Sequence, residues 1–287
     1  MGYLHIENLY KCRDVLLFRE CYALEKIHGT SANLKWLGGN VLYSSGGEKR
    51  DNFVKLFDDG KLVASFLAIG HPEVTVYGEA YGGKQQGQSW RYGKSLRFVA
   101  FEVRVGETWL SVENAADVTA KLGLEFVHYR RISTDLAAVD AERDAPSEQA
   151  KRNGVEGDQP REGIVLRPLE EMTKSNGARI IAKHKRDEER ETATSRTVDA
   201  EKLEVLRAAN DIAVEWVTPT RLEHVLDKLG PVGMEQTPDV IRAMIEDVTR
   251  EAAGEIVDSK DARRAIGAAT AKLFKARVKS ALYKVAP

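Results

Sequence analysis

The chain has 287 residues, with 43 Lys and Arg against 44 Asp and Glu, so its formal net charge is −1. An apolar fraction of 43% and a charged fraction of 30% exclude a wholly disordered chain, and no run approaches the ~20 apolar residues of a membrane span. At ~150 residues per domain the length suggests one large domain or two moderate ones, and neutrality by itself argues weakly against nucleic acid as a partner. Met1–Ile6 lacks the apolar core of a signal peptide, and Cys12 and Cys21 lack the spacing of a zinc site or a disulfide framework. The chain is therefore expected to be cytoplasmic, with no membrane association.

Taken in order, the first 186 residues read as short β-like runs between glycine and polar turns: 53–57, 62–69, 74–77, 98–103, 164–167 and 180–184. Asp59-Gly60 reads as a hairpin turn. Helical patches fall at 115–123, stopped by Gly123, and at 136–153, which runs into a turn-rich loop ending at Pro160. The charged stretch 187–196 reads as a linker. From Val198 onward helical periodicity takes over, with Leu203, Leu206, Ala209, Asn210 and Ala213 on one face and Leu222, Val225, Leu226 and Leu229 on another. Gly230-Pro231 ends that second helix and Thr237-Pro238-Asp239 opens the next.

Charge follows the same division. Residues 260–287 carry eight basic side chains and one acidic, residues 187–259 eight basic and eighteen acidic, which leaves a net +2 for residues 1–186. The final basic helix, with Ile266, Ala269, Leu273 and Ala276 on one face, offers its charge either to phosphate or to solvent.

The stretch Leu24-Glu25-Lys26-Ile27-His28-Gly29 carries the chemistry. On an extended strand Leu24, Lys26 and His28 share a face, and Gly29 then turns the chain. A lysine between apolar neighbours needs a partner. A second strand, 179–185, puts Ile181, Lys183 and Lys185 on one face, and two such lysines repel unless an anion such as a phosphate lies beside them. Glu162-Gly163 and Gly78-Glu79 each add a carboxylate beside a glycine that permits close backbone approach. Together these are the groups of a phosphate- and metal-handling pocket. The stretch 87–95 looks like a P-loop, but it has one residue too many between its glycines and leads into a strand, so it reads as a polar turn.

Lys26-Ile27-His28-Gly29 resembles the nucleotide-binding lysine motif of the covalent nucleotidyltransferases, in the form favoured by RNA ligases. The superfamily's other motifs follow in order: Lys49-Arg50 resembles the basic motif, Tyr77-Gly78-Glu79 motif III, Phe98–Val103 motif IIIa, Glu162–Val165 motif IV and Ala182–Lys185 motif V. The loop 78–93 is similar to that of the bacteriophage RNA ligase 2 and RNA-editing ligase group, and the region after 197 to the helical domain of the RNA ligase 2 type.

The resemblance implies an α+β fold: an ATP-grasp-like nucleotidyltransferase domain of antiparallel sheets with flanking helices over residues 1–190, then a small all-α domain over 197–287. It implies an ATP- and Mg2+- (or Mn2+-) dependent RNA ligase, acting as a monomer, that seals 3′-OH and 5′-phosphate ends at nicks in duplex RNA. Lys26 would be the nucleophile that carries AMP, assisted by Lys183 and Lys185. To attack it must be neutral, and a model lysine titrates near ~10.4. Glu25, Ile27, His28 and Ser31 would line the ATP site, with Arg50 on a phosphate, Glu79 on the ribose, Phe101 stacked on adenine and Glu162 on the metal.

Two departures are visible. Ser31 stands where the group often has Asn, with Asn33 two residues on, and Glu102 stands where it commonly has Asp. On a regular strand Phe101 and Glu102 face opposite sides, so both enter one pocket only through a bulge, and Phe101 is the expected occupant. The rival readings are a DNA ligase or a capping-type nucleotidyltransferase, which usually continue into a β-barrel, and a catalytically silent RNA-binding relative.

Overall fold

The computed structural model describes residues 3–85, 89–174, 176–189 and 197–285. The chain divides into two compact units, residues 1–172 with 179–197, and residues 173–178 with 198–287. The first unit runs β1 (Glu20–Lys26), β2 (Gly29–Leu37), β3 (Asn40–Ser45), α1 (Arg50–Val54), α2 (Asp59–Ile69), β4 (Glu73–Tyr81), β5 (Arg97–Val105), β6 (Thr108–Trp109), α3 (Val112–Lys121), β7 (Tyr129–Ser133), α4 (Leu136–Asp144), α5 (Glu148–Arg152), β8 (Gly163–Arg167) and β9 (Ala182–Lys185).

These strands form two antiparallel sheets, ordered β7-β1-β8-β9 and β3-β2-β4-β5-β6. One face of the five-stranded sheet is closed by helices: Leu34, Trp36, Val74, Val76 and Val103 pack with Phe53, Leu62, Phe66 and Ala115. A second core joins the sheets, with Tyr22, Leu24 and Ile27 against Tyr81, Tyr92, Val99 and Val127. The two sheets thus face each other across an apolar layer, open where polar side chains replace apolar ones.

Three sequence expectations are corrected. The run 62–69 is helical rather than a strand, and in the neighbouring 53–57 the first two residues end α1 and the rest form a turn. A short apolar run fits either period, and here Leu62 and Phe66, one turn apart, are the buried pair. Asp59-Gly60 is not a hairpin turn but the first turn of α2, because the Asp58 carboxylate accepts from Lys61 N–H and caps the helix. The patch 136–153 is two helices, broken at Ala145-Pro146-Ser147, where Ser147 caps α5.

The second unit contains α6 (Ala200–Trp216), α7 (Pro219–Leu229), α8 (Thr237–Glu251) and α9 (Lys260–Val285). Asp199 and Thr218 cap the first two, and Pro219 occupies the first position of α7, where its missing N–H costs nothing. Ala213, Leu222, Val225, Leu226, Val240, Met244, Val248, Ile266 and Phe274 make its core. Leu229, expected on the buried face of α7, is 39% exposed because the helix ends there at Gly230. On α9 the buried side chains include Ala262, Ile266, Thr270, Ala271 and Phe274, while Ala276 is exposed. Arg263 and Arg277 form ion pairs with Asp258 and Glu223, and Lys260, Arg264, Lys272, Lys275 and Lys279 are exposed. The expected linker lies outside the described residues beyond Glu189, as do Gly87 and Gln88 of the P-loop-like stretch. No helix among the described residues is long and apolar enough to cross a membrane.

Candidate active site

Strand register assembles the charged centre. Gly163, the first residue of β8, pairs with Lys26 at the end of β1 on one side and with Lys185 at the end of β9 on the other. Neighbouring strands lie ~4.8 Å apart, so both lysines flank the head of the middle strand, where Glu162 sits. Its Oε2 accepts from Lys26 Nζ at 2.8 Å, and its Oε1 lies 2.9 Å from Lys185 Nζ. Glu162 is 4% exposed. Burial alone would raise its pKa, but the ammonium groups of Lys26 and Lys185 outweigh it and hold the carboxyl below its ordinary range.

Gly163 is required by this arrangement. Its φ is +154°, and a Cβ there would lie 2.3 Å from the His184 carbonyl oxygen and 2.7 Å from Lys185 Cα. Gly163→Ala is therefore expected to force β8 and β9 apart, destabilise the protein by about 2–4 kcal/mol, and separate Glu162 from Lys185. Urea unfolding of the variant checks the energy.

Beside this centre is a cavity of about 670 Å³. One wall is Leu24, Lys26, Val165, Arg167 and Lys183 from the four-stranded sheet, and another is Ser31, Asn33, Glu79, Val99 and Phe101 from the five-stranded sheet. Glu25, Ile27 and Glu102 also line it, and the N-terminal residues Tyr3–Ile6 complete it. Of the residues singled out in sequence, Glu25, Lys26, Ile27, Ser31, Glu79, Phe101 and Lys183 line the cavity. Glu162 and Lys185 adjoin it through Lys26. Arg50 does not line it; it is exposed at the start of α1.

Several local expectations change. β1 stops at Lys26, and Gly29 opens β2 rather than turning the chain, so Lys26 and His28 do not share one strand face. His28 still converges on the centre, its Nδ1 lying 3.8 Å from both Glu162 Oε2 and Glu189 Oε2. Glu25 serves a neighbouring helix instead. Its buried carboxylate accepts from Ser147 Oγ at 2.5 Å and from the N–H groups of Glu148 and Gln149, capping α5. Phe101 and Glu102 do both line the cavity, because β4 and β5 slip register. Tyr77 pairs with Glu102 and Gly78 with Ala100, leaving Phe101 as the bulged residue.

Glu102 is 1% exposed and fully engaged, with Arg167 Nη1 at 3.0 Å, Arg179 Nη1 at 3.0 Å and the Tyr3 hydroxyl as partners. Tyr3 also packs edge-on to Phe101 at 4.9 Å. Sequence reasoning missed Tyr3, Arg91 and Glu189. No motif marks them, and all three reach the site through contacts distant in sequence.

Glu79, half-buried between Ser31 and Val99, also lines the cavity. Burial, with the Glu162 charge adding to it and Lys26 opposing, pushes its pKa up to about 8. A raised carboxyl pKa gives stability that is full below about 4.5 and lost as pH rises through about 8. Glu79→Gln, which removes that titration, is expected to gain about 2 kcal/mol relative to the parent between pH 5 and pH 8.5, measured by urea unfolding at both values.

The carboxylates and hydroxyls here are hard oxygen donors, which suit Mg2+ or Mn2+ rather than zinc. Among the described residues no three His, Cys, Asp or Glu come together as a metal cage. A cation here would thus rest on one or two carboxylates, with substrate oxygens and water completing its shell, a manner of binding typical of Mg2+.

The family model for RNA ligase matches residues 19–185, more than half of the chain. The chain belongs to the RNA ligase family. Among solved structures, it is similar to the Naegleria gruberi RNA ligase with PPi, at 14% identity and a TM-score of 0.51, covering 66% of this chain and 56% of that one. A lysine-to-alanine variant of the same ligase with ATP and Mn aligns at 12% identity and a TM-score of 0.52, over 66% and 57%. A lysine-to-methionine variant of it with AMP and Mn gives 12% and 0.51, over 66% and 59%. At these identities the likeness is one of fold, and this RNA ligase family member spans a little over half the length of those chains. No curated protein matches it.

Proposed function

We propose that the protein is an ATP-dependent RNA ligase acting through a lysyl-AMP intermediate, with residues 1–190 as the adenylyltransferase domain and 197–287 as a helical domain. The observation that carries this reading is Lys26 Nζ, held by Glu162 at the edge of the cavity and flanked by Lys183 and Lys185 on β9. In the first step Nζ attacks the α-phosphate, a P–N bond forms, and pyrophosphate leaves with the electrons of the broken P–O bond. The proton that Nζ sheds has an acceptor in Glu162 Oε2, 2.8 Å away. Lys183 and Lys185 stabilise the charge that builds on the phosphates. Phe101 offers its ring to adenine, while Glu79 and the Ser31–Asn33 edge face the ribose. A divalent cation would be held by Glu162 with phosphate oxygens and supplies neutralisation of that charge.

AMP then passes to the 5′-phosphate of RNA, forming a pyrophosphate linkage and freeing Lys26. The 3′-hydroxyl attacks that phosphate, joining the strand and releasing AMP. Duplex RNA with a nick is the proposed substrate. The ATP, AMP and Mn of the Naegleria gruberi complexes support the nucleotide and the metal, and the helices α6–α9 support a ligase of this type over relatives that continue into a β-barrel. Incubation with ATP labelled at the α-phosphate and Mg2+ should give a labelled protein band on a denaturing gel, chased into sealed strand by nicked duplex RNA. A band that never labels overturns the reading, and labelling by GTP in preference to ATP reassigns it to capping chemistry.

A further inference from the structure

Trp90 is 63% exposed, the one exposed Trp or Phe among the described residues. A lone apolar side chain at a surface is ordinary. What sets this one apart is the rigidity beneath it. Arg91 and Tyr92, the next two residues, are 9% and 0% exposed. The Arg91 guanidinium reaches Glu189 Oε1 at 2.8 Å and the Pro160 carbonyl at 3.4 Å. The Tyr92 hydroxyl accepts from the backbone N–H of His28 at 3.2 Å, and its carbonyl accepts from Asn153 Nδ2 at 2.9 Å. Gly93, at φ +101°, turns back so that its N–H bonds the Trp90 carbonyl at 3.2 Å and its carbonyl bonds Gly83 N–H at 2.9 Å.

Ordering a backbone loses entropy that is normally offset by burying its side chains. Here the pinned segment leaves its largest ring in water, which is the arrangement of a surface organised in advance for a ligand. The ligand is not the nucleotide of the cavity, because Trp90 does not line it and Phe101 does. The anchor at His28 ties the segment to the link between β1 and β2, two residues from Lys26. We propose that Trp90 is a stacking platform for a base beside the break in the RNA being joined, with Arg91 and Glu189 as positioning residues that hold the ring in place. An indole face suits this role because every base has a π-face, and the buried Arg91 guanidinium, 5.9 Å from the ring centroid and paired with Glu189, braces it. This rests on the ligase reading.

The test compares the parent, Trp90→Ala and Trp90→Phe on a nicked RNA duplex in which the bases flanking the nick are replaced one at a time by abasic sites. Trp90→Ala is expected to raise the KM for RNA about tenfold, with the rise falling on RNA rather than on ATP, and Trp90→Phe to retain most of the affinity. One abasic position should weaken the parent by a similar factor and have no further effect in Trp90→Ala. An unchanged KM in Trp90→Ala, or full abasic penalties persisting in it, overturns the proposal. An equal loss in formation of the labelled protein–AMP adduct makes Trp90 a structural residue and also overturns it. If the parent forms no adduct, the ligase reading falls. Anisotropy of the same labelled RNA, without ATP, then decides the platform separately: weaker binding by Trp90→Ala upholds stacking and equal binding refutes it.

Discussion

Lys26→Ala is expected to take up no label from ATP labelled at its α-phosphate, a loss on the order of 10⁴-fold or more, because no other amine can replace the bonding atom. The side chain ends a buried strand and its ammonium meets Glu162, so truncation also leaves that carboxylate with Lys185 as its remaining ammonium partner. The fold should tolerate this, since the Lys26 side chain is 24% exposed and contributes to no apolar cluster. The Ala variant should still seal RNA whose 5′ end already carries AMP, because that step no longer needs the lysine as a bonding partner. Residual protein labelling in Lys26→Ala would move the nucleophile elsewhere, and gel labelling beside a sealing assay on pre-adenylylated RNA separates the two outcomes.

Glu162→Gln is expected to be almost as damaging to adduct formation, by about 10²-fold or more, and unlike Lys26→Ala to destabilise the fold. The amide retains the shape of the carboxylate but removes the negative charge that Lys26 and Lys185 share at one strand head. Breaking a buried ion pair costs about 3–5 kcal/mol when the remaining charge is fully enclosed; both lysines here keep some access to water, so about 2 kcal/mol is expected. The pH dependence supplies a second check. The folded protein holds this carboxyl below its ordinary pKa, so its contribution is present above about 4.5 and is lost as pH falls through the depressed value. Acid unfolding of the parent should show that loss, and Glu162→Gln should flatten it. Urea unfolding at pH 7 and pH 3.5 reads both.

The alternative uses of single residues show why local chemistry and long-range placement must be read together. Glu25 adjoins the nucleophile in sequence, yet its carboxylate serves the N-terminus of α5, more than a hundred residues away. Glu102, a motif residue, is consumed by Arg167, Arg179 and Tyr3, a buried network that secures the strand next to the bulge at Phe101. Asn33, outside the motif position held by Ser31, is the more buried of the two and lines the same cavity.

By itself the sequence determined the chemical inventory: Lys26, Glu79, Glu162, Lys183 and Lys185, their order, and the glycines beside them. It also marked the end of one later helix and the start of the next, where Gly230 and Pro238 act through their own backbone preferences. Such signals are local, and a local reading recovers them. It misread 53–57 and 62–69 as strands because a short apolar run carries no period of its own until one face is covered. Tertiary structure alone decided that Gly163 would stand between Lys26 and Lys185, that a slipped register would place Phe101 and Glu102 at one cavity with Tyr3, and that Arg91 would meet Glu189 beside His28. These facts depend on pairings between residues well separated in the chain, where register is set by which side chains can be buried together and not by any neighbour in the chain.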